Sequence, residues 1–266
     1  FPNEKLSDVM MTQRILEIAS EVQNYLNGSY NYFAKKFCNI DNHCFEIKQE
    51  VIAKSGLFIT KKRYGMKIIN DNGVKVNKML VKGIDTVRSN FPTAMRKFLG
   101  MILDDILMEV PKEKIDEKII AFKNKMKAAD YNQISMPTGV KNIKKFIKKG
   151  EYTSILTQYN KGTPVHVKAA IFYNDLIRHF KKQKKYQFIS AGDKIKWVYL
   201  KQNPLGLDVV AYRGHEDPPE IIDFIKQYIN YDKIFNTALK KKLDMFYGAL
   251  NWDDIVDKEK SMEKFF

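Results

Sequence analysis

The sequence has few cysteines, no long apolar run and no internal repeat. Its 266 residues include only two cysteines, Cys38 and Cys44, which excludes a disulfide framework and favours a reducing compartment such as the cytosol. No apolar run approaches the roughly 18 residues of a membrane-spanning helix. The first residues lack the charged start and apolar core of a signal peptide, and the chain begins with Phe1, so we expect a truncated or cleaved chain.

The cysteines also lack the pattern of a metal site. His43 stands beside Cys44, but structural zinc requires four ligands in two closely spaced pairs, and the fourth ligand is missing nearby. Five residues separate the two lone cysteines, which is outside the usual spacing. We therefore predict that Cys38, His43 and Cys44 are packing residues.

Acidic residues are in the minority. The chain has 46 lysines and arginines against 31 aspartates and glutamates, a formal net charge of +15. This balance favours a polyanionic partner, nucleic acid before a membrane surface. Lysine, asparagine, isoleucine and tyrosine are all plentiful, as expected of a genome rich in A and T. Part of the lysine content therefore reflects codon usage, and the positions of the charges are more informative than their number. The length permits one large domain or two ordinary ones.

The first third of the chain has the pattern of a helix followed by strands. Ser7 is a suitable N-cap for an amphipathic helix that we expect to end at Asn27-Gly28. Glu50 leads a run rich in β-branched and aromatic residues, which is typical of a buried strand. Alternation from Met66 into Asp71-Asn72-Gly73, with a second such run after it, predicts a β-hairpin.

From about residue 85 the pattern becomes mainly helical, which indicates a domain boundary there. The Ser135–Gly139 segment predicts a loop that exposes backbone amides to phosphate ahead of a lysine-rich helix. The alternative is a plain loop with a solvated lysine helix behind it. Other helices are predicted near 92–107, 112–129, 164–180, 219–229 and 232–250, and strands near 194–201 and 207–212.

Two unusual motifs follow one another within a short stretch. Lys61-Lys62-Arg63-Tyr64 begins eleven residues after Glu50, and Lys82-Gly83-Ile84-Asp85-Thr86-Val87-Arg88 begins eighteen after Tyr64. Arginine can bind two phosphate oxygens and lysine acts as a point charge, so a cationic strand end is suited to hold phosphate groups. Alone, the first motif is also typical of a solvated basic patch, and Glu50 of an edge-strand carboxylate in an ion pair.

In this order the two motifs resemble those of family B DNA polymerases, and the layout is similar to the C-terminal part of the replicative enzymes of tailed phages. The resemblance implies an α+β fold. A partial palm with a β-sheet and helix would occupy 1–84, a mainly helical thumb with a small β subdomain 85–250, and a tail 251–266. Looser matches in the same order are Tyr131-Asn132-Gln133-Ile134-Ser135, His166-Val167-Lys168, Tyr173-Asn174 and Asn203-Pro204-Leu205-Gly206.

The resemblance also implies roles for individual residues. Glu50 would be the catalytic palm glutamate beside the metal site, and the primer strand would be contacted near its growing end by Lys61, Lys62, Arg63 and Tyr64. Thumb residues would grip the product duplex through its phosphates without reading bases. The candidates for this role are Lys82, Arg88, Lys141, Lys161, His166 and Lys168.

The closing tail resembles a terminal peptide that docks on a sliding clamp in the phage enzymes. Its apolar residues are costly to expose unless a partner receives them, so Met262, Phe265 and Phe266 would be the anchors. This tail is shorter than the usual form in the family. The alternative is that both phenylalanines fold back on the thumb.

The resemblance implies Mg²⁺ in the complete enzyme, with the aspartate ligands upstream of Phe1 and none in this chain. We therefore expect DNA-directed DNA polymerase activity only when an upstream portion, in the same or a separate chain, supplies those ligands. The chain alone is expected to be inactive. Primer–template DNA, the upstream portion and a sliding clamp are the expected partners, without a membrane, in the cytoplasm of the host of a virus.

Two other classes of function stay open. A non-catalytic DNA-binding or clamp-binding accessory protein would use the same cations and tail but would not need Glu50. A metal-dependent nuclease would use a carboxylate cluster such as Asp104, Asp105 and Glu109.

Overall fold

The computed structural model describes residues 7–148 and 156–255, which form a mixed α+β structure with two three-stranded sheets. The predicted fold class is therefore confirmed. Across these two ranges, no helix combines the length and apolar character needed to cross a bilayer.

The chain divides into two compact units. Of the described residues, the first unit contains those up to Leu57 together with Gly65–Leu80, and the second contains Phe58–Tyr64 and those from Val81 onward. Both motifs singled out in the sequence therefore belong to the second unit, while Glu50 belongs to the first.

The first unit begins with a long helix, α1 (Asp8–Cys38). Ser7 is its N-cap, as predicted, and the side chain of Ser7 accepts a hydrogen bond from the amide of Met10. The prediction that the helix ends at Asn27-Gly28 is wrong. A glycine inside a helix costs only about 1 kcal/mol, and the Asn27 side chain both donates to and accepts from the backbone of Ile47, so tertiary contacts hold it inside the helix.

The residues near the end of α1 are not a packed cluster. Cys38 and Cys44 are both exposed, so the prediction that these cysteines are packing residues is wrong. His43 is half-buried, and its ring hydrogen-bonds the side chain of Asn31 and the amide of Phe45. The short polar segment that follows the helix lies at the surface, which is why it does not bury these thiols.

The first sheet has the order β1-β2-β3, formed by β1 (Val51–Thr60), β2 (Arg63–Asp71) and β3 (Val74–Lys82). The predicted hairpin is confirmed. Asn72 and Gly73, which connect its strands, have φ angles of 50° and 85°, as expected of the two-residue turns that match the twist of a hairpin.

The second unit is mainly helical and contains the second sheet. Its elements in chain order are a 3₁₀ turn (Asp85–Val87), α2 (Thr93–Leu107), α3 (Lys112–Met126), α4 (Tyr131–Ile134), β4 (Met136–Gly139), α5 (Ile143–Phe146), α6 (Val165–His179), β5 (Lys194–Tyr199), β6 (Val209–Tyr212), α7 (Pro219–Tyr228), α8 (Tyr231–Ile234), a π-helix (Phe235–Lys240) and α9 (Lys241–Ala249). The helices and strands predicted here are present, except that the lysine-rich helix expected after Gly139 is a single turn, α5.

The core of the second unit lies where α6 packs against the second sheet. The sheet is antiparallel with the order β4-β5-β6, and Trp197 in β5 stands opposite Met136 on one side and Ala211 on the other. All four residues of β6 are buried. Helix α6 and the strands β5 and β6 are largely buried, so their sequences are rich in apolar residues. This is why the apolar pattern of the sequence predicted these elements.

The prediction of a phosphate-binding loop at Ser135–Gly139 is wrong. Met136–Gly139 forms β4, whose backbone pairs with β5, and Pro137 is tolerated because β4 is an edge strand. The lysine helix expected after it is a single turn, α5, which starts after Asn142 in a left-handed conformation. The backbone of Met136–Gly139 is therefore paired with β5. The single turn of α5 that follows is too short to bind phosphate as a helix N-terminus would.

Candidate nucleic-acid interface

The Lys61-Lys62-Arg63-Tyr64 motif forms the tight turn from β1 to β2. Lys61 and Lys62 occupy the turn with exposed side chains, and Lys62 has a φ angle of 64°. Arg63 and Tyr64 begin β2 and are half-buried. The Tyr64 ring lies 5.7 Å, centroid to centroid, from the ring of Phe58, which is exposed. The turn thus presents cations beside an aromatic pair, a combination suited to nucleic acid.

The second motif packs directly on this turn. Gly83 has a φ angle of 66°, and a β-carbon at this position would lie 2.2 Å from the carbonyl oxygen of Lys62 and 3.1 Å from Cγ of Arg63. Real β-carbons do not approach a backbone oxygen so closely, so only glycine fits. The two motifs, the second of which begins eighteen positions after Tyr64, are therefore in contact.

The acidic residue of the second motif is held by two cations. Asp85 Oδ2 lies 2.9 Å from Nζ of Lys242 in α9, and Asp85 Oδ1 lies 3.3 Å from Nη1 of Arg88. One turn after Lys242, Met245 Sδ lies 4.0 Å from Nη1 of Arg63. A small recess is shared by these side chains, lined by Ile59, Arg63, Gly83, Ile84, Asp85, Lys242, Met245 and Phe246.

Lys242 was not among the residues predicted from the sequence. It is the last of three consecutive lysines, residues 240–242, and no local signal distinguishes it from Lys241, which is exposed. The distinguishing fact is the contact with Asp85, more than 150 residues earlier in the sequence. A contact between such distant residues is set by the fold and leaves no local pattern.

A second set of cations surrounds α5, and we call it the lysine cluster: Lys141, Lys144, Lys145, Lys148 and Lys161. Residues on either side of the undescribed segment pair here, with Ile147 bridged to Tyr159 and the amide of Lys148 donating to the carbonyl of Gln158 at 2.9 Å. The side chain of Asn160 donates to the carbonyl of Lys145 at 3.2 Å.

This pairing brings Lys161 next to the α5 turn. All five lysines of the cluster are exposed, and within 7–148 and 156–255 none of them has an ion-pair partner. Two predicted DNA-binding residues, Lys141 and Lys161, are thus in one basic surface.

Two further predicted thumb residues, His166 and Lys168, lie in the first turn of α6 and are less available. Burial lowers the pKa of His166, so its imidazole is neutral at neutral pH. Burial also lowers the pKa of Lys168, but hydrogen bonds to Asp208 and Tyr159 outweigh it and raise that pKa overall. Lys168 Nζ lies 2.8 Å from Asp208 and 4.9 Å from the centroid of the Tyr159 ring. A carboxylate already compensates this charge.

The acidic candidates do not form a metal site within the described residues. Glu50 is exposed, directly before β1, and its carbonyl oxygen accepts a hydrogen bond from the amide of Asn72 at 2.7 Å. Asp105 forms an ion pair with Lys118 at 2.7 Å. No group of three or more histidine, cysteine, aspartate or glutamate side chains in the described ranges could hold a metal ion. The carboxylate cluster that the nuclease alternative requires is therefore not found there.

The predicted tail anchors, Met262, Phe265 and Phe266, lie outside the described residues.

The described residues form an α+β fold that joins two cationic motifs, an arrangement typical of a nucleic-acid-binding protein. A family model for DNA polymerase family B matches residues 9–247, a range that includes both motifs, the lysine cluster and Lys242. The chain belongs to DNA polymerase family B, whose members carry out DNA-directed DNA synthesis in replication. No curated protein matched the sequence.

Family B polymerases use divalent metal ions. The residues described here do not fit such an ion, because their acids are dispersed or paired with lysines and form no ligand group. The exposed cations of the turn and of the lysine cluster are suited to bind phosphates.

Proposed function

We propose that this chain is the C-terminal palm and thumb portion of a virus-encoded replicative DNA polymerase, and that it grips primer–template duplex during replication. Residues 1–84 would be the end of the palm, 85–250 the thumb and 251–266 the tail. The observation that carries the proposal is the contact between the turn at Lys61–Tyr64 and the loop at Gly83. This contact makes one cationic element from two motifs, at the place where the family relationship implies that the primer end lies.

The charges on this element favour phosphate binding. Among the described residues Arg63 has no carboxylate partner, while the nearby Asp85 is neutralised by Lys242 and Arg88. A guanidinium with open donors can bind two phosphate oxygens at once. Arg63 and the exposed ammonium groups of Lys61 and Lys62 would therefore hold the primer strand.

The lysine cluster supports a second contact along the duplex. Its five cations are exposed and lack ion-pair partners among the described residues. Lysines of this kind neutralise phosphates without reading base edges, which suits an enzyme that must copy every sequence. His166 and Lys168 are proposed as more limited contributors, the former as a neutral hydrogen-bonding group.

The upstream portion of the polymerase is the proposed partner of the first unit. In α1 the one buried residue among those whose burial is described is Ala34, whereas large apolar side chains are exposed along it. The most exposed of these are Val9, Met10, Tyr25, Tyr32 and Phe37. So many apolar groups on one helix are typical of a surface that another part of a protein covers. We propose that this covering part carries the aspartates that hold Mg²⁺, with Glu50 beside them.

The sliding clamp is proposed as a further partner through Met262, Phe265 and Phe266. The support is the apolar and aromatic composition of the terminal residues in an otherwise charged segment. A peptide of residues 251–266, compared with one in which Phe265 and Phe266 are replaced by alanine, tests this proposal against purified clamp. Equal binding of the two peptides would contradict it.

Salt-dependent binding of the chain to labelled DNA duplexes tests the proposed grip. If Z phosphates are neutralised, the logarithm of the affinity should fall with the logarithm of salt concentration with a slope of about −0.9Z. Replacing Lys145 and Lys161 by alanine should lower Z by about two if both contact phosphate. Duplexes of unrelated sequence should bind alike. A strong sequence preference or a salt-independent affinity would contradict the proposal.

Primer extension tests the proposed division of labour. The chain with Mg²⁺ and labelled primer–template should neither extend nor cleave the DNA, and addition of the upstream portion with its aspartates should give extension. Robust cleavage by the chain alone would favour the nuclease alternative. Extension that does not depend on the presence of this chain would favour an accessory role.

A further inference from the structure

We propose that Lys242 is a positioning residue, which keeps Asp85 away from Arg63 so that the Arg63 guanidinium stays available to the primer strand. This inference rests on the proposed function, because it assigns a partner to Arg63 that the family relationship implies. It goes beyond that function by giving a role in primer binding to α9, the last of the described helices in the second unit.

Arg63 shares a small recess with an acidic and a second basic side chain. Arg63, Asp85 and Lys242 all line it, so one carboxylate and two cations share a small volume. Carboxylates form strong bidentate pairs with arginine. An unoccupied Asp85 would therefore compete with a phosphate for the guanidinium of Arg63.

Both carboxylate oxygens of Asp85 are paired with cations. Lys242 Nζ lies 2.9 Å from Oδ2, and Arg88 Nη1 lies 3.3 Å from Oδ1, so each carboxylate oxygen has its own cation. The side chains of Asp85 and Lys242 are 14% and 31% exposed. Because the two side chains are partly buried, solvent and salt screen this ion pair less than they screen a pair at the surface. Arg63 Nη1 instead donates a long hydrogen bond to Sδ of Met245, an uncharged and weak acceptor that leaves the other guanidinium donors open.

Helix α9 contributes neighbouring side chains to the recess. Lys242 and Met245 are three residues apart and share one helix face. This face meets the loop whose Gly83 lies on the carbonyl of Lys62. Helix α9 thus has two contacts near the proposed primer-binding turn. Lys242 forms an ion pair with Asp85 of the loop, and the Met245 thioether contacts Arg63 of the turn.

Binding of a labelled primer–template, measured by fluorescence anisotropy, tests the inference with five variants. Lys242→Met should weaken binding about tenfold, the loss expected when a charge-assisted contact is diverted. Lys241→Met removes the same charge from a neighbouring exposed lysine and should change affinity by about twofold at most. Lys242→Arg should bind like the wild type.

The decisive variant is the double replacement Asp85→Asn with Lys242→Met. If Lys242 acts by occupying Asp85, removal of the carboxylate makes Lys242 unnecessary, so the double variant should recover most of the affinity. Asp85→Asn alone should bind at least as well as the wild type. If Lys242 merely braced the loop, Asp85→Asn alone would be as damaging as Lys242→Met, and the double variant would not recover.

The failure of this inference and that of the proposed function give different results. If the wild type binds DNA with the expected salt dependence, but Lys242→Met matches Lys241→Met, only the role of Lys242 is wrong. If the wild type does not bind primer–template at all, both proposals fail. Melting temperatures of all variants show whether a loss of binding reflects a loss of folding, and the double variant carries the test if Lys242→Met unfolds.

Discussion

The carbonyl oxygen of Lys62 occupies the space that a side chain on Gly83 would need, with a separation of 2.2 Å from the position of a β-carbon. The loop of the second motif therefore touches the backbone of the first motif at a point where no other residue fits. Because the contact is between backbones, it fixes the position of the turn independently of the long, adaptable lysine side chains that the turn carries.

The replacement Gly83→Ala should accordingly destabilise the protein beyond the cost of its backbone conformation. Gly206 is a matched control, since it also has a φ angle of 66° but its β-carbon would meet nothing within 4 Å. Gly206→Ala should cost about 1 kcal/mol for the left-handed conformation. Gly83→Ala should cost about 1–3 kcal/mol more, because the overlap forces the backbone to shift. Urea unfolding of the two variants measures the difference, and equal losses would show that the contact is not tight.

Much of the fold was predictable because its elements have strong local signals. The Asp71-Asn72-Gly73 turn, the Ser7 cap and the apolar periodicity of α2 and α6 all indicated the observed structure. The predictions that proved wrong concern segments whose local structure depends on contacts with residues distant in the sequence. Asn27 is held in α1 by Ile47, and Met136–Gly139 becomes a strand because β5 is available to pair with it. Neither partner is visible in the local sequence.

In the candidate site, too, some features were predictable from local sequence and others depend on distant contacts. The two motifs were recognisable from their residue types and order, and the structure brings them into contact through Gly83. Lys161 and Lys141 were proposed separately, whereas their shared surface depends on the pairing of Lys148 with Gln158. The ion pair of Lys168 with Asp208 was likewise not predictable, because it joins α6 to a residue 40 positions later. Sequence patterns located the cations but not their partners.

Removal of the turn lysines should affect DNA more than removal of lysines elsewhere. The double variant Lys61→Ala with Lys62→Ala should weaken primer–template binding by about tenfold or more, because two charge-assisted contacts to phosphate are lost. The control replaces Lys184 and Lys185, which are exposed residues of another basic run, and should change affinity by about twofold. Equal effects of the two double variants in the same binding assay would mean that the charge of the turn acts only generically.

The neutral His166 should leave a signature in the pH dependence of stability. Burial lowers its pKa in the folded protein below the ordinary value of about 6.5. The unfolded chain therefore binds a proton more readily, so this residue makes the protein less stable as pH falls through that value. Melting temperatures of His166→Gln and the wild type, compared from about pH 7.5 to about pH 5.5, should shift in favour of the variant at low pH. The same series for His215→Gln, at an exposed histidine, is the control, and a constant difference for His166→Gln would contradict the prediction.

The role of Glu50 separates a polymerase from an accessory protein. The Glu50 side chain is exposed and its carbonyl oxygen accepts the bond from Asn72, so Glu50→Gln keeps the backbone contact and should not alter the melting temperature. If Glu50 lies beside the metal site of the complete enzyme, loss of its charge should slow primer extension by on the order of tenfold or more. Single-turnover extension with saturating DNA measures this step apart from binding, and the exposed Glu46→Gln is the control. An unchanged extension rate in Glu50→Gln would leave the cations as the functional part of this chain and would support the accessory role.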